Sequence, residues 1–322
     1  MSENAPNWER SVLEKIAMAA IDEQRRARRW GFFFKFLIVT YLFVVLFIAM
    51  GWVGKKDGLS GSGKHTALVD VSGVISSGSA AGAEAVMQGL GDAFKDKGTR
   101  GVILRINSPG GSPVQAGYIY DEIKRLRAKY PEIKVYAVVE DVCASGGYYV
   151  AAAADSIYVN KASMIGSIGV LMNGFGFTGV MEKLGVERRL LAAGENKGFL
   201  DPFSPLNDTQ KEHAQKMLGE IHEQFIDVVR KGRGKRLKET PEMFSGLVWV
   251  GQKSIELGLA DALGSTEQVA RNVIKAEDIV DFTPRENVAE RFAKRFGASL
   301  GTTVAESLVK MGTSGVHMPQ WR

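Results

Sequence analysis

The sequence predicts an α/β fold with a mostly parallel sheet, preceded by one transmembrane helix. From residue 66 onward, short apolar runs alternate with longer segments in which apolar residues recur at helical spacing. Such alternation is typical of a parallel sheet covered by helices on both faces. Two glycine pairs, Gly110-Gly111 and Gly146-Gly147, follow two of the apolar runs. The uncharged apolar run of residues 36–53, with the aromatic residues before it, reaches the about 20 residues that span a bilayer.

The composition is that of a globular protein and argues against both nucleic-acid binding and a site built from paired cysteines. Of the 322 residues, 45% are hydrophobic and 24% are charged, as in folded domains. Lys and Arg number 41 against 36 Asp and Glu, and part of the excess of 5 lies in the arginine cluster 25–29, so we expect no nucleic-acid partner. The one cysteine, Cys143, excludes an internal disulfide and a Cys-x-x-Cys zinc or redox pattern.

Changes of composition divide the chain into five predicted segments. They are a charged amphipathic helix (1–30), the transmembrane helix (31–54), a flexible linker rich in glycine and serine (55–65), the α/β domain (66–282) and a helical tail (283–322). Trp30 and Trp52 lie at the two ends of the apolar run, at the levels where aromatic side chains collect in membranes.

The charges beside the apolar run predict its orientation. Arg25 to Arg29 outweigh Lys55 and Lys56, so the N-terminus is expected in the cytoplasm and residues 54–322 outside it, on the periplasmic side of the inner membrane in a bacterial cell. A cleaved signal peptide is the competing interpretation. Its apolar region would be shorter and nearer to residue 1, and Met50-Gly51-Trp52 fits a small-x-small cleavage site poorly, so we favour a retained anchor.

The α/β domain is expected to carry its site beyond the carboxyl ends of its strands, as open parallel sheets do. Both glycine pairs lie at such ends. The predicted strands are 67–75, 101–106, 135–139 and 156–159, the predicted helices are 81–95, 114–129, 146–154 and 208–231, and residues 246–264 hold a further strand, helix and turn.

Residues 141–150 contain the candidate nucleophile. Ser145 stands between the apolar run 135–139 and the alanine-rich run 150–154, and two glycines follow it. A serine in a strand-to-helix turn is exposed and has unpaired backbone N–H groups beside it. An incidental serine in a glycine-rich turn fits this stretch equally well. The choice between the two interpretations therefore depends on whether the rest of the chain offers a base for Ser145.

The histidines offer no obvious base for a serine nucleophile. We interpret each of them as solvated, because they border the linker, lie on a charged helix or belong to the tail; they are His65, His213, His222 and His317. A Ser-His-Asp triad is therefore not predicted. A lipase-type Gly-x-Ser-x-Gly turn is excluded, since Cys143 stands where its first glycine would be.

A lysine is the remaining type of base. Lysine can deprotonate serine when burial lowers its pKa from about 10.4 towards neutrality. Most lysines of the chain stand among other charged residues, but Lys197 lies between the largely apolar stretches 190–194 and 198–200. Lys197 is therefore the candidate.

Four motifs follow one another along the chain: Asn-Ser-Pro-Gly-Gly at 107–111, Ala-Ser-Gly-Gly-Tyr at 144–148, Ile-Gly-Ser-Ile-Gly-Val at 165–170 and Leu-Gly-Leu-Ala-Asp at 257–261. In this order they resemble the signal peptide peptidase A family of serine proteases. The resemblance covers roughly residues 66–270. It implies a fold like that of the Clp protease and the crotonases, a spiral of parallel strands and helices.

The same resemblance implies a role for each matching position. Ser145 matches the family nucleophile, Lys197 its general base, and Ser167 the serine that holds the lysine amine. The backbone N–H groups near Gly110 or Gly111, with that of Gly146, match the oxyanion hole. Short members of the family form rings in which the lysine comes from a neighbouring protomer, so we expect a ring-shaped homo-oligomer.

Together these observations lead to the hypothesis of a membrane-anchored serine endopeptidase with a Ser145–Lys197 dyad. Its partners would be the lipid bilayer and hydrophobic peptides such as remnant signal peptides, and neither a metal nor a cofactor is expected. Two alternatives remain: a crotonase-like enzyme that acts on acyl thioesters, and a catalytically inactive membrane scaffold.

Overall fold

The structure is a computed structural model that describes residues 6–49 and 63–284. These residues belong to two compact units, a long N-terminal helix and the domain of residues 63–284. The predicted linker lies almost wholly outside the described residues, as does the predicted C-terminal tail apart from Thr283 and Pro284.

The N-terminal unit is one continuous helix, α1 (Pro6–Ala49), of 44 residues. It runs through both the predicted amphipathic segment and most of the predicted transmembrane segment. Its stretch Val12–Leu46 is long and apolar enough to cross a membrane. Apolar side chains of this stretch are exposed on all sides, including Phe32, Phe36 and Leu42.

The second unit is an eight-stranded sheet with its helices. The strands are β1 (His65–Ser72), β2 (Thr99–Ser108), β3 (Lys134–Ala144), β4 (Ser156–Val159), β5 (Met164–Gly166), β6 (Val248–Val250), β7 (Ala262–Leu263) and β8 (Ile279–Asp281). The helices are α2 (Ala83–Lys95), α3 (Pro113–Lys129), α4 (Gly146–Ala151), α5 (Thr178–Lys183), α6 (Asp208–Arg233), α7 (Gly251–Glu256) and α8 (Thr266–Gln268), with a 3₁₀ turn at Gly234–Arg236 and a π-helical turn at Val269–Ile274.

The sheet is parallel except at one edge, which confirms the predicted fold class. Its strand order is β6-β5-β3-β2-β1-β8, and only the β5–β6 pair is antiparallel. The long strand β3 pairs with β2 on one side. On its other side it pairs with β4 along residues 136–138 and with β5 along 142–144.

Strand β3 ends at Ala144, five residues beyond the predicted end at Val139. Glu140 and Asp141 are exposed polar residues, so they interrupt the apolar pattern without interrupting the strand. Cys143 is held between Ser108 of β2 and Ile165 of β5. Ser145 therefore follows the last residue of β3 directly and begins the turn into the next helix.

Apolar side chains on both faces of the sheet bury the core, as parallel sheets require. The larger cluster lies under α2, α3 and α4 and includes the fully buried Val69, Leu104 and Ile119. On the opposite face, Leu68 and Ile103 pack in a smaller cluster with residues of the π-helical turn. Each such side chain contributes roughly 1.5–3 kcal/mol on burial.

A buried ion pair ties the end of α6 to the sheet. Arg233, only 2% exposed, donates from both terminal nitrogens to Asp261 at 2.8 Å and from Nε to the Gly258 carbonyl at 2.7 Å. The backbone N–H of Ile157 in β4 donates to the same carboxylate at 2.7 Å. Burial raises the pKa of Asp261, but the hydrogen bonds and charge of Arg233 outweigh it and hold the pKa below its usual range.

Substitution Arg233→Ala is expected to lower the free energy of unfolding by about 3 kcal/mol, the low end for a broken buried pair, because the Asp261 carboxylate keeps only the more exposed Arg236 as a charged partner within the described residues, at 3.1 Å. Urea denaturation followed by circular dichroism measures the change. The matched control is Arg230→Ala, which breaks the exposed pair with Glu239 and should change stability little. Equal losses in the two variants would contradict the assignment.

The ion pair should also make the stability of the fold depend on pH. A carboxyl group with a lowered pKa stabilises the fold above its unfolded pKa and loses that contribution as the pH falls through and below it. In the intact protein, the contribution of Asp261 to the free energy of unfolding is therefore lost as the pH drops below about 4, the range in which a free aspartate titrates. The acid-dependent loss should be smaller in Arg233→Ala.

Candidate active site

Ser145 lies in a strained turn between β3 and α4. Its φ and ψ are 52° and −123°, in a region that side-chain-bearing residues rarely adopt. Such a conformation costs about 1–3 kcal/mol and persists only when neighbours hold it. Here the Ser145 N–H donates to the Gly166 carbonyl at 2.8 Å, and the Ser145 carbonyl accepts from the Tyr149 N–H at 2.9 Å. The neighbouring strand β5 and helix α4 therefore hold the turn.

The loop of residues 108–112, named the glycine loop here, closes against this turn. A Cβ atom on Gly110 would lie 2.6 Å from the Gly146 nitrogen and 2.7 Å from the Ser145 Cβ, so only glycine fits. A positive φ of 98° imposes the same choice. The nitrogen of Gly111 lies 3.3 Å from the position that a Cβ on Gly146 would take.

The amides of the glycine loop differ in their hydrogen bonding. The Gly110 N–H donates to Ser108 Oγ at 3.1 Å. The N–H groups of Gly111 and Gly146 donate to no acceptor in the part of the chain that the structure describes. Gly146 is the first residue of α4, where the helix itself provides no acceptor. Two free donors thus lie next to Ser145.

A cavity of about 560 Å³ opens beside Ser145. None of the residues that line it is charged. Ser145, Gly111, Gly146 and Ser167 contribute to its wall, which is completed by Pro113, Ala116, Tyr149, Gly169, Val170, Leu171, Ile221, Gln224, Phe225, Ser245 and Gly246.

Ser167 stands in a second strained turn, directly after β5. Its φ is 50°, and its N–H donates to the Leu247 carbonyl at 2.7 Å. From α6, His222 Nε2 lies 3.2 Å from the carbonyl oxygen of the following residue, Ile168. Because a carbonyl only accepts, His222 Nε2 carries the proton. These contacts hold the Ser167 turn against the cavity.

Two histidines differ from their sequence interpretation as solvated residues. His222 is half-buried and bonded to the Ser167 turn. His65 is only 3% exposed at the first position of β1, 3.7 Å from Asp96. Both interpretations were wrong because tertiary packing covers these side chains, which local charge patterns do not reveal. His213 is exposed, and His317 lies outside the described residues.

Lys197 is not brought to this cavity within the chain. It is exposed, lies in a turn closed by its own N–H and the Gly194 carbonyl at 3.1 Å, and is absent from the cavity wall. The chain therefore assembles five of the six sequence-predicted site residues: Gly110, Gly111, Ser145, Gly146 and Ser167.

The segment around Lys197 exposes many apolar side chains. Leu191 is 97% exposed and Leu171 is 82% exposed. Others in the same stretch are Phe175, Val180, Leu184, Val186, Leu190, Phe203 and Leu206. A patch of this kind is typical of a surface that another molecule covers.

Cys143, two residues before Ser145, is not a competing nucleophile. Its side chain is fully buried, and burial raises the pKa of its thiol. A cysteine reacts as the thiolate, which this environment disfavours. Burial likewise raises the pKa of Tyr148, whose hydroxyl donates to the Leu259 carbonyl at 2.8 Å and so anchors α4.

Comparison with known proteins places the chain in a peptidase family. Residues 127–279 match peptidase family S49. A putative protease of Synechocystis sp. is 34% identical over 208 residues, which is 65% of this chain and 72% of that protein. The chain therefore belongs to peptidase family S49.

Two further relatives are matched over very different shares of their own length. A putative signal peptide peptidase SppA of Enterococcus faecium is 31% identical over 214 residues, 66% of this chain and 61% of that protein. A protein of Brucella melitensis named Na(+)/H(+) antiporter NhaA is 47% identical over 175 residues, 54% of this chain. The chain spans only 24% of the length of that Brucella protein.

Substitution Gly110→Ala is expected to lower peptidase activity by about 100-fold or more, since the added Cβ displaces the turn that carries the Gly146 donor. Peptide cleavage and fluorophosphonate labelling of Ser145 measure the effect. The matched control is Gly117→Ala in α3, where a Cβ meets no atom within 4 Å. That variant should retain activity and gain about 0.5–1 kcal/mol in stability. Full activity of Gly110→Ala would contradict the geometry.

Proposed function

We propose that this chain is a membrane-anchored serine endopeptidase in which Ser145 is the nucleophile. The proposal rests on one observation: Ser145 is held at a strained φ of 52°, at an uncharged cavity, next to the free N–H groups of Gly111 and Gly146. Nucleophilic serines need both exposure and nearby donors for the oxyanion. Membership of peptidase family S49 supports the same reaction.

The chemistry follows from the two donors. Ser145 Oγ attacks a peptide carbonyl while its proton passes to a base, and the carbonyl oxygen becomes negatively charged. The N–H groups of Gly111 and Gly146 stabilise that charge, and each such donor contributes about 2.7–4 kcal/mol in related chemistry. The base passes that proton to the nitrogen of the departing amine, and water then hydrolyses the ester, which releases the acid product and restores the Ser145 hydroxyl.

The base is Lys197 of a neighbouring protomer in a ring-shaped homo-oligomer. Three observations support this part: Lys197 is exposed, its surrounding segment exposes large apolar side chains, and no lysine lines the cavity within the described residues. The Ser167 hydroxyl, in the same cavity wall, is available to hold the incoming amine.

The substrates are hydrophobic peptides close to a membrane, such as remnant signal peptides. The cavity wall carries no charged side chain, so it favours apolar residues. Helix α1 contains a stretch long and apolar enough to anchor the chain in the inner membrane. With Arg25 to Arg29 on the cytoplasmic side, the peptidase domain faces the periplasm.

Substitution Ser145→Ala should reduce cleavage of an apolar fluorogenic peptide by on the order of 10³-fold or more, because no other group forms the acyl intermediate. The full-length protein in detergent is assayed, and fluorophosphonate labelling is read by mass spectrometry. The control Ser72→Ala, at the exposed end of β1, should behave as the unmodified protein. Unchanged turnover of Ser145→Ala would overturn the proposal and favour a scaffold or thioester enzyme.

A subunit-mixing experiment tests the position of the base. Lys197→Ala and Ser145→Ala should each be inactive alone, whereas co-expressed chains should recover about one quarter of the sites, as random neighbours in a closed ring allow. Lys183→Ala, on the same exposed segment, serves as the control and should stay active. Inactivity of the mixture would place the base within one chain, and an active Lys197→Ala would identify another base.

A further inference from the structure

Ser108, the last residue of β2, has a hydroxyl group with no role in the proposed chemistry. The residue is 0% exposed, and its backbone is in register with Cys143, two positions before Ser145. Its Oγ donates to the Gly73 carbonyl at 2.7 Å and accepts the Gly110 N–H at 3.1 Å. A fully buried hydroxyl with one donor bond and one acceptor bond has a fixed orientation.

The first consequence concerns which amide of the glycine loop is available. Because Ser108 Oγ occupies the Gly110 N–H, that group cannot also serve an oxyanion. Pro109 has no N–H at all. Among residues 109–111, only Gly111 keeps a donor without an acceptor in the described part of the chain.

The second consequence concerns the direction of that donor. The carbonyl of Gly110 accepts the Ile75 N–H at 2.8 Å, which fixes the plane of the Gly110–Gly111 peptide. In a trans peptide, the C=O and N–H groups point in opposite directions. The Gly111 N–H therefore points away from the Ile75 N–H, and its nitrogen lies 3.3 Å from the position that a Cβ on Gly146 would take.

Ser108 and Ile75 thus hold two successive peptides of one loop. Ser108 fixes the peptide that ends in the Gly110 N–H, and Ile75 fixes the next one. The φ values of Gly110 and Gly111 are 98° and 147°, in a region where glycine has wide conformational freedom. The intrinsic preference of the backbone therefore does not hold these two peptides in place, and the hydrogen bonds to Ser108 and Ile75 do. Without the Ser108 hydroxyl, the Gly110 N–H loses its acceptor, and the loop is held by its two backbone bonds with Ile75, which join the Gly110 carbonyl to the Ile75 N–H and the Ser112 N–H to the Ile75 carbonyl.

We infer that Ser108 is a positioning residue for the oxyanion hole: its buried hydroxyl occupies the Gly110 N–H and, together with the Ile75 backbone, holds the loop in which the Gly111 N–H faces the carbonyl that Ser145 attacks. The inference rests on the proposed function. A donor that is aimed before the reaction acts on the transition state and leaves ground-state binding of the peptide unchanged. Ser108 itself touches no substrate.

The test compares Ser108→Ala with Ser254→Ala in the full-length protein. Ser254 is also 0% exposed and donates to a backbone carbonyl, that of Gly251 at 2.7 Å, but it does not line the cavity. In Ser108→Ala, kcat should fall about 10-fold or more while KM stays within about two-fold, as expected when a transition-state interaction is lost. Ser254→Ala should keep its kcat whatever its change in melting temperature.

Inhibitor binding separates positioning from general damage. A peptide boronate forms a tetrahedral adduct with a serine nucleophile, whereas the matching peptide amide binds without reaction. Ser108→Ala should lower the affinity for the boronate by the same factor by which kcat falls, and it should leave the affinity for the amide unchanged. Parallel weakening of both ligands, or an unchanged kcat, would overturn the inference. If Ser145→Ala also remains active, the proposed function has failed instead.

Hydrogen exchange provides a measurement that needs no variant, in case Ser108→Ala does not fold. In the unmodified protein, the Gly110 amide should exchange slowly and the Gly111 amide quickly. On adding the peptide boronate, the Gly111 amide should become protected. Fast exchange at Gly110, or no change at Gly111 while boronate is bound to Ser145, would contradict the inference.

Discussion

The close contact between two turns, one after β2 and one after β3, is the constraint on which the site depends. Gly110 and Gly146 approach so closely that a single Cβ atom on Gly110 would overlap the neighbouring backbone. The contact is possible because β2 and β3 are adjacent parallel strands whose carboxyl ends meet at one edge of the sheet. Ser145 and the N–H groups of Gly111 and Gly146 are therefore brought together by the way two neighbouring strands end.

The order of elements and the clustering of the candidate residues could be predicted from the sequence, because both depend on local patterns. Apolar runs and glycine pairs predicted the parallel sheet and the turn that carries Ser145, and the sheet is confirmed. The four motifs predicted the family, which is also confirmed. Gly110, Gly111, Ser145, Gly146 and Ser167 lie together as these motifs indicated, although their catalytic roles stay predictions.

Other features depend on contacts between distant residues and could not be predicted in this way. The extension of β3 to Ala144 is stabilised by β5, a three-residue strand too short to give a pattern. The contact of His222 with Ile168 joins residues 54 positions apart. The hydroxyl of Ser108 accepts the Gly110 N–H and leaves the Gly111 N–H without an acceptor in the described residues, a difference that the motif alone left open.

The strained turn at Ser145 has a consequence for the evolution of the chain. A residue with a side chain at φ 52° lowers the stability of the fold by about 1–3 kcal/mol, and glycine would relieve that strain. Selection for stability alone therefore favours glycine at this position, and the proposed catalytic role accounts for the serine that stands there. In a lineage released from selection for that role, Ser145 would be among the first residues to be replaced, and its replacement by glycine would leave a more stable protein with the same fold.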